Sequence, residues 1–171
     1  MVSKRTLFYI SAILLAAVSR LLPHFPNFSP IGALALFGGA MFSNRLMGFI
    51  APLAAMVLSD LFLGFHETIG SVYLSFALTV FIGYGIGNET SKRTYLKVLF
   101  APVASSILFF ILTNLHMWFL FYSRDLQGLI TCFTAAIPFY SNTLVSDMFY
   151  TYLLFGSYFL VGQKLPSLVK A

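Results

Sequence analysis

Apolar residues come in six runs separated by short polar breaks. The runs are Thr6–Leu22, Ile31–Phe42, Leu46–Phe65, Ser71–Gly87, Tyr95–Tyr122 and Ile137–Gly162. A bilayer-spanning helix needs roughly 20 predominantly apolar residues, with a range of about 17–25. The pattern therefore predicts an all-α integral membrane protein of six transmembrane helices, the second one short. That second run reads as a short tilted span or a re-entrant element. Gly32, Gly38 and Gly39 in it let neighbouring helices come close. The fifth and sixth runs are long enough to tilt or to protrude.

Composition agrees. The chain has 171 residues, 59% of them hydrophobic and 9% charged, where a soluble domain carries roughly 25% charged residues. Residues 1–171 are expected to form a single transmembrane domain. The net charge of +5 does not point to nucleic acid, because the charges sit in short loops where they set topology. With the N-terminus cytoplasmic and six crossings, Lys4, Arg5, Arg45, Lys92, Arg93, Lys97, Lys164 and Lys170 fall inside, and only Arg20 and Arg124 outside. This asymmetry predicts that both termini are cytoplasmic. Lys4 and Arg5 before an apolar run also imitate a signal sequence, but the loop that follows looks integrated with the bundle.

The same topology gathers the unusual residues at the outer face. The stretch Arg20–Pro30, RLLPHFPNFSP, carries His24, Asn27 and three prolines, which hold the backbone extended and stiff. His66, Glu67, Arg124 and Asp125 lie on the same side. Asp60, Asn114, His116, Asn142 and Asp147 lie within the outer parts of their helices, Asp147 deepest, on the order of 15 Å below its helix start. A carboxylate inside a bilayer costs at least ~2.5 kcal/mol, so Asp60 and Asp147 need partners or water. Together these residues predict a polar cavity open to the outside and floored by Asp147, with aromatic walls including Phe25, Phe28, Tyr73, Trp118, Tyr122 and Tyr140. Each residue also has a plainer role. Asp60 can bridge helices through Arg20, His66 can be a solvated loop histidine, and His116 and Trp118 can be interfacial anchors.

Catalytic signatures are lacking. No HExxH, GxSxG or Walker sequence occurs, and a His24–Asp60 or His116–Asp147 acid–base pair is required by nothing in the spacing. The expectation is that the chain is not an enzyme and carries no cofactor or resident metal. The single cysteine, Cys132, excludes an internal disulfide and reads as a small apolar filler. Asn27 and Asn88 match a glycosylation sequon, a pattern short enough to arise by chance. Ala12 and Ala16 form a small-residue stripe on the first helix, suited either to packing within the bundle or to docking a partner membrane subunit. Gly83, Gly85 and Gly87 carry the same two readings.

The stretches RLLPHFPNFSPIGALALFGG, PLAAMVLSDLFLGFH, VYLSFAL and AAIPFYSNTLVSDMFY resemble a bacterial family of uncharacterised membrane proteins. That family is similar to the substrate-binding S components of energy-coupling factor transporters, nearest to the solitary ones that take up cobalamin. The resemblance implies a protein of the bacterial inner (cytoplasmic) membrane that captures a vitamin-like solute, cobalamin first, in its outer pocket. It implies movement by toppling of the bundle, and either solitary action or a transmembrane coupling subunit with ATPases docking at Ala12 and Ala16. In the cobalamin carriers a histidine near the first loop and a cysteine approach cobalt. His24 fits the first role, but Tyr73 and Ser75 occupy the region of the cysteine and Cys132 lies elsewhere. The substrate-binding residues expected are Arg20, His24, Asn27, Asp60, His66, Tyr73, Asn114, His116, Trp118, Asn142 and Asp147. The rival readings are a structural or assembly protein of the cell envelope and, behind it, an intramembrane enzyme.

Overall fold

The computed structural model describes residues 4–42, 44–87 and 91–164. Asn88 and Lys170 lie outside the described residues. Six α-helices follow one another: α1 (Lys4–Leu21), α2 (Ile31–Met41), α3 (Arg45–Leu63), α4 (Ile69–Ile86), α5 (Lys92–Phe121) and α6 (Leu126–Lys164). Of these, α3 to α6 are long and apolar enough to cross a membrane. The surface agrees with that assignment. Leu15, Phe62 and Phe100 stand exposed on the outside, while Ser59, Asp60, Ser106 and Asp147 are buried within. In water this distribution would be unfavourable, and against lipid tails it is the expected one.

α2 is the axis of the bundle. Ile31 to Gly39 are all buried, and the helix packs against each of the other five. A helix apolar all round is one surrounded by protein. Glycines allow the contact: Gly39 lies against Val80 and Gly83 of α4, and Gly38 against Gly48 of α3. A Cβ on Gly39 would run into the Val80 carbonyl oxygen. These positions let backbones touch, so dispersion contacts replace the hydrophobic drive that lipid does not supply. Phe37, on the same helix, meets Phe155 and Tyr158 of α6 edge to face.

Side-chain contacts fix the relative heights of the helices. Arg20 near the end of α1 bonds Asp60 near the end of α3, and Tyr73 at the start of α4 bonds the same carboxylate. His116 near the end of α5 bonds Ser71 of α4. All of these lie at one end of the bundle. At the other end the Tyr84 hydroxyl donates to the Arg45 carbonyl, and Lys97 donates to the carbonyls of Gly85 and Ile86. Arg45, Lys92, Arg93 and Lys97 thus collect at a basic end, which the start of α1 and the end of α6 share.

Two segments differ from the sequence expectation. α6 begins at Leu126, not Ile137, because the stretch before Pro138 continues the helix. The Asp125 carboxylate accepts from the Gly128 amide at 2.7 Å and stabilises the helix start. α2 is about 16 Å long at 1.5 Å per residue, against a hydrocarbon core of about 30 Å. It occupies only the half of the bundle nearer the basic end, and the Pro-rich loop supplies the rest of the path. Chain direction nevertheless alternates as it would for six crossings.

Candidate functional site

Because α2 starts deep, the opposite half of the bundle axis has no helix to fill it. Gly32, in the first turn of α2, touches Asp147 of α6, and Asp147 bonds Ser106 of α5. Ser106 lies ten residues before His116, about 15 Å lower along α5. A cavity of about 310 Å³ fills this gap, with Gly32 and Asp147 among its lining and the Pro-rich loop beside it.

The loop is held in place by its own turns and by α6. Phe28 N–H donates to the Phe25 carbonyl at 3.0 Å. Asn27 takes φ 61°, a left-handed conformation that asparagine tolerates better than most residues. The Asn142 amide of α6 donates to the Pro26 carbonyl at 3.0 Å. Pro26 has no N–H, so this bond uses the one polar backbone group it offers.

Of the expected substrate-binding residues, Arg20, His24, Asn27, His66, Asn114 and Asp147 line the cavity. The other five are not among its lining residues. Asp60, 1% exposed, accepts from Arg20 Nη1 at 2.7 Å and from the Tyr73 hydroxyl at 2.8 Å. Arg20 Nη1 also donates to Ser59 Oγ. This cluster ties α1, α3 and α4 together, the helix-bridging role open to Asp60. His116 bonds Ser71, and the Trp118 indole N–H donates to the Ser123 carbonyl at the α5–α6 turn. Asn142 holds the loop.

Asp147 differs from Asp60 in its company. It is 4% exposed, and its Oδ2 accepts from Ser106 Oγ at 2.8 Å and Ser105 Oγ at 3.2 Å. Among the described residues, the ion pair found is Arg20–Asp60, so Asp147 has no cationic partner there. Higher in the cavity, His24 Nδ1 is bonded to the Leu22 carbonyl and His66 Nδ1 to Thr68 Oγ1, which leaves each Nε2 free for a guest. Thr113, Thr143 and the tilted pair Phe76 and Phe109 also line the cavity.

Sequence reasoning missed these last residues and the two serines. Thr143 stands four residues before Asp147, on the same helix face, which is a readable signal. Ser105-Ser106 is a hydroxyl pair in an otherwise apolar helix, also readable. Phe76 and Phe109 carry no mark that separates them from the many other phenylalanines.

The Ala12–Ala16 stripe is turned inward. Ala16 is buried and Ala12 packs against the same core, with α1 lying along α3. Within this chain the stripe packs in the bundle, Ala16 fully and Ala12 in part. Gly83 likewise serves the α2–α4 contact. Among the described residues no group of three or more histidine, cysteine or acidic side chains is arranged to hold a metal. Cys132 is buried and its thiol points at the Asn114 carbonyl.

A profile of a family of unknown function (DUF6580) matches residues 2–168. The chain belongs to this family. No curated protein and no solved structure matches the chain. The DUF6580 assignment covers all six helices and the loop that borders the cavity.

Proposed function

We propose that this chain is a membrane-embedded binding subunit for uptake of a small, vitamin-like solute. The observation that carries the reading is the cavity itself, a space of about 310 Å³ left by a half-length central helix. Its walls mix apolar surface with converging amide, hydroxyl and imidazole groups, the usual make-up of a small-molecule site. Filling the axis with a longer α2 would be the simpler way to build a stable bundle. In this reading both termini are cytoplasmic and the cavity faces outward, supported by the collection of Arg45, Lys92, Arg93 and Lys97 at the opposite end. The membrane is the bacterial inner membrane, and the likeness to energy-coupling factor S components stands as an analogy.

The volume bears on the solute. It lies at the lower limit of ligand pockets, about 300–1,000 Å³. A compact molecule fits, whereas a corrinoid such as cobalamin is several times too large to enter whole. His24 as a cobalt ligand would therefore require the loop to open widely. The inward-turned Ala12–Ala16 stripe favours a subunit that binds solute by itself over one that docks a coupling module at that stripe.

Native mass spectrometry of gently purified protein tests the proposal. The expected result is a co-purifying small molecule that is lost on denaturation and depleted in Asn114→Ala. An empty protein, together with no thermal shift across a broad panel of compact vitamins and metabolites, would overturn it.

A further inference from the structure

Resting on the solute-binding reading above, we infer that the solute is a compact organic cation, with Asp147 as its counter-ion and the Phe76–Phe109 wall beside it. Three observations converge. First, the charge balance of the cavity is incomplete. Arg20 is already neutralised by Asp60, and no cationic side chain reaches Asp147 among the described residues. The uncapped first turn of α2, at Gly32, faces the carboxylate. A helix N-terminus supplies only about half a positive charge.

Second, the carboxylate is pinned on one side only. Oδ2 takes both serine hydroxyls. Oδ1 accepts no hydrogen bond among the described residues, yet it is not one of the fully enclosed unpaired atoms. Oδ1 is the Asp147 atom nearest Gly32 at the head of α2; neither bonded nor sealed, on a residue lining the cavity, it keeps an edge toward that space. The serines therefore fix the orientation of a carboxylate whose other oxygen, beside Gly32, accepts no hydrogen bond among the described residues.

Third, the rings of Phe76 and Phe109 stand 5.3 Å apart, tilted by 38°, and both line the same space. Aromatic faces attract ammonium groups, more strongly when water is excluded. Amide and hydroxyl groups nearer the mouth, from Asn27, Asn114, Thr113 and Thr143, are left to bind the polar remainder of the molecule.

The test uses the full chain in lipid nanodiscs and a pair of probes of equal shape. Choline carries a quaternary ammonium, and 3,3-dimethylbutan-1-ol is its uncharged carbon counterpart. The expected result is at least ~10-fold tighter binding of choline, since a desolvated cation–π contact and an ion pair both act on it alone. Asp147→Asn should bring the ratio close to one. Asn114→Ala should weaken both probes and leave the ratio intact. Ser106→Ala, which unpins the carboxylate without removing it, should reduce the preference partway, and this variant keeps the test open if Asp147→Asn fails to fold.

Equal binding of the two probes, an unchanged ratio in both Asp147→Asn and Ser106→Ala, or no binding of choline would overturn the inference. A co-purifying uncharged molecule that is sensitive to Asn114→Ala would do so too, while leaving the binding-subunit reading standing.

Discussion

Replacing Arg20 with alanine leaves a carboxylate stranded in the bundle. Asp60 is 1% exposed and the Arg20 side chain 16%, so bulk water screens the pair little. Arg20→Ala removes the 2.7 Å ion pair and the donation to Ser59, leaving Asp60 with the Tyr73 hydroxyl at 2.8 Å. Losing one partner of a buried pair costs about 3–5 kcal/mol. Tyr73→Phe deletes one hydrogen bond to a charged group, about 1.5–3 kcal/mol. Removing both charges, in Arg20→Leu with Asp60→Leu, should recover most of the loss, because apolar replacements of buried pairs are often neutral. Cys132 supplies the assay. It is the only cysteine and is buried, so labelling by a thiol-reactive fluorophore during heating reports unfolding. At roughly 2–4 °C per kcal/mol for a chain of this size, Arg20→Ala should lower the midpoint by on the order of 10 °C. The order of stability should be wild type, then Tyr73→Phe, then Arg20→Ala. A loss below about 1 kcal/mol for Arg20→Ala would mean that the pair behaves like an exposed one, and the argument for a buried cluster would fail.

Other outcomes follow from the same contacts. Gly39→Ala drives a methyl group into the Val80 carbonyl, whereas a methyl group on Gly70 meets nothing within 4 Å. The first should cost about 1–3 kcal/mol and the second little in the same thiol assay, and equal effects would refute the close α2–α4 approach. Asn142→Ala frees the Pro26 carbonyl, so amide exchange at Phe28, whose N–H donates to the Phe25 carbonyl, should rise while the middle of α6 stays protected. Unchanged exchange at the Phe28 amide would show that the loop is held by something else. The Asp125 carboxyl is held below the usual carboxylate range, first by the Gly128 amide and then by the Ser123 hydroxyl. Its folded pKa is depressed, so its contribution is present above the unfolded value of about 3.9 and fades as pH falls through the folded value. Exchange at residues 126–129 should therefore increase in strong acid, and Asp125→Asn should reproduce part of that change at neutral pH. No change in either condition would rule out this cap.

Helix number was readable because apolar runs broken by short polar stretches obey a simple length rule. The depth at which α2 begins was not. It is set by the Gly39–Gly83 and Gly38–Gly48 contacts, and a glycine pattern says that something approaches without saying what or how far along. The start of α6 was misplaced for a related reason. Pro138 looks like a boundary, but a helix can keep a proline where the rest of its turn is satisfied. Within the site, residues in the Pro-rich loop and Asp147 were legible as polar groups in an apolar setting. Asp60 and Tyr73 carry the same signal and prove to be mutual partners, since chemical type marks a residue as needing company without naming the company. The Ala12–Ala16 stripe shows the same limit: spacing shows that a face is smooth, and only packing shows which way it looks.

The half-length of α2 also has an electrical consequence. Between the cavity floor and the basic end the chain's own barrier is that one helix, about 16 Å of protein. If water fills the space above it, the membrane voltage falls mainly across this remaining septum. A full traversal is worth about 2.3 kcal/mol per elementary charge per 100 mV. A charge seated beside Asp147 would have crossed about half of the hydrocarbon thickness while spending little of that energy, and nearly all of the field would still lie ahead of it.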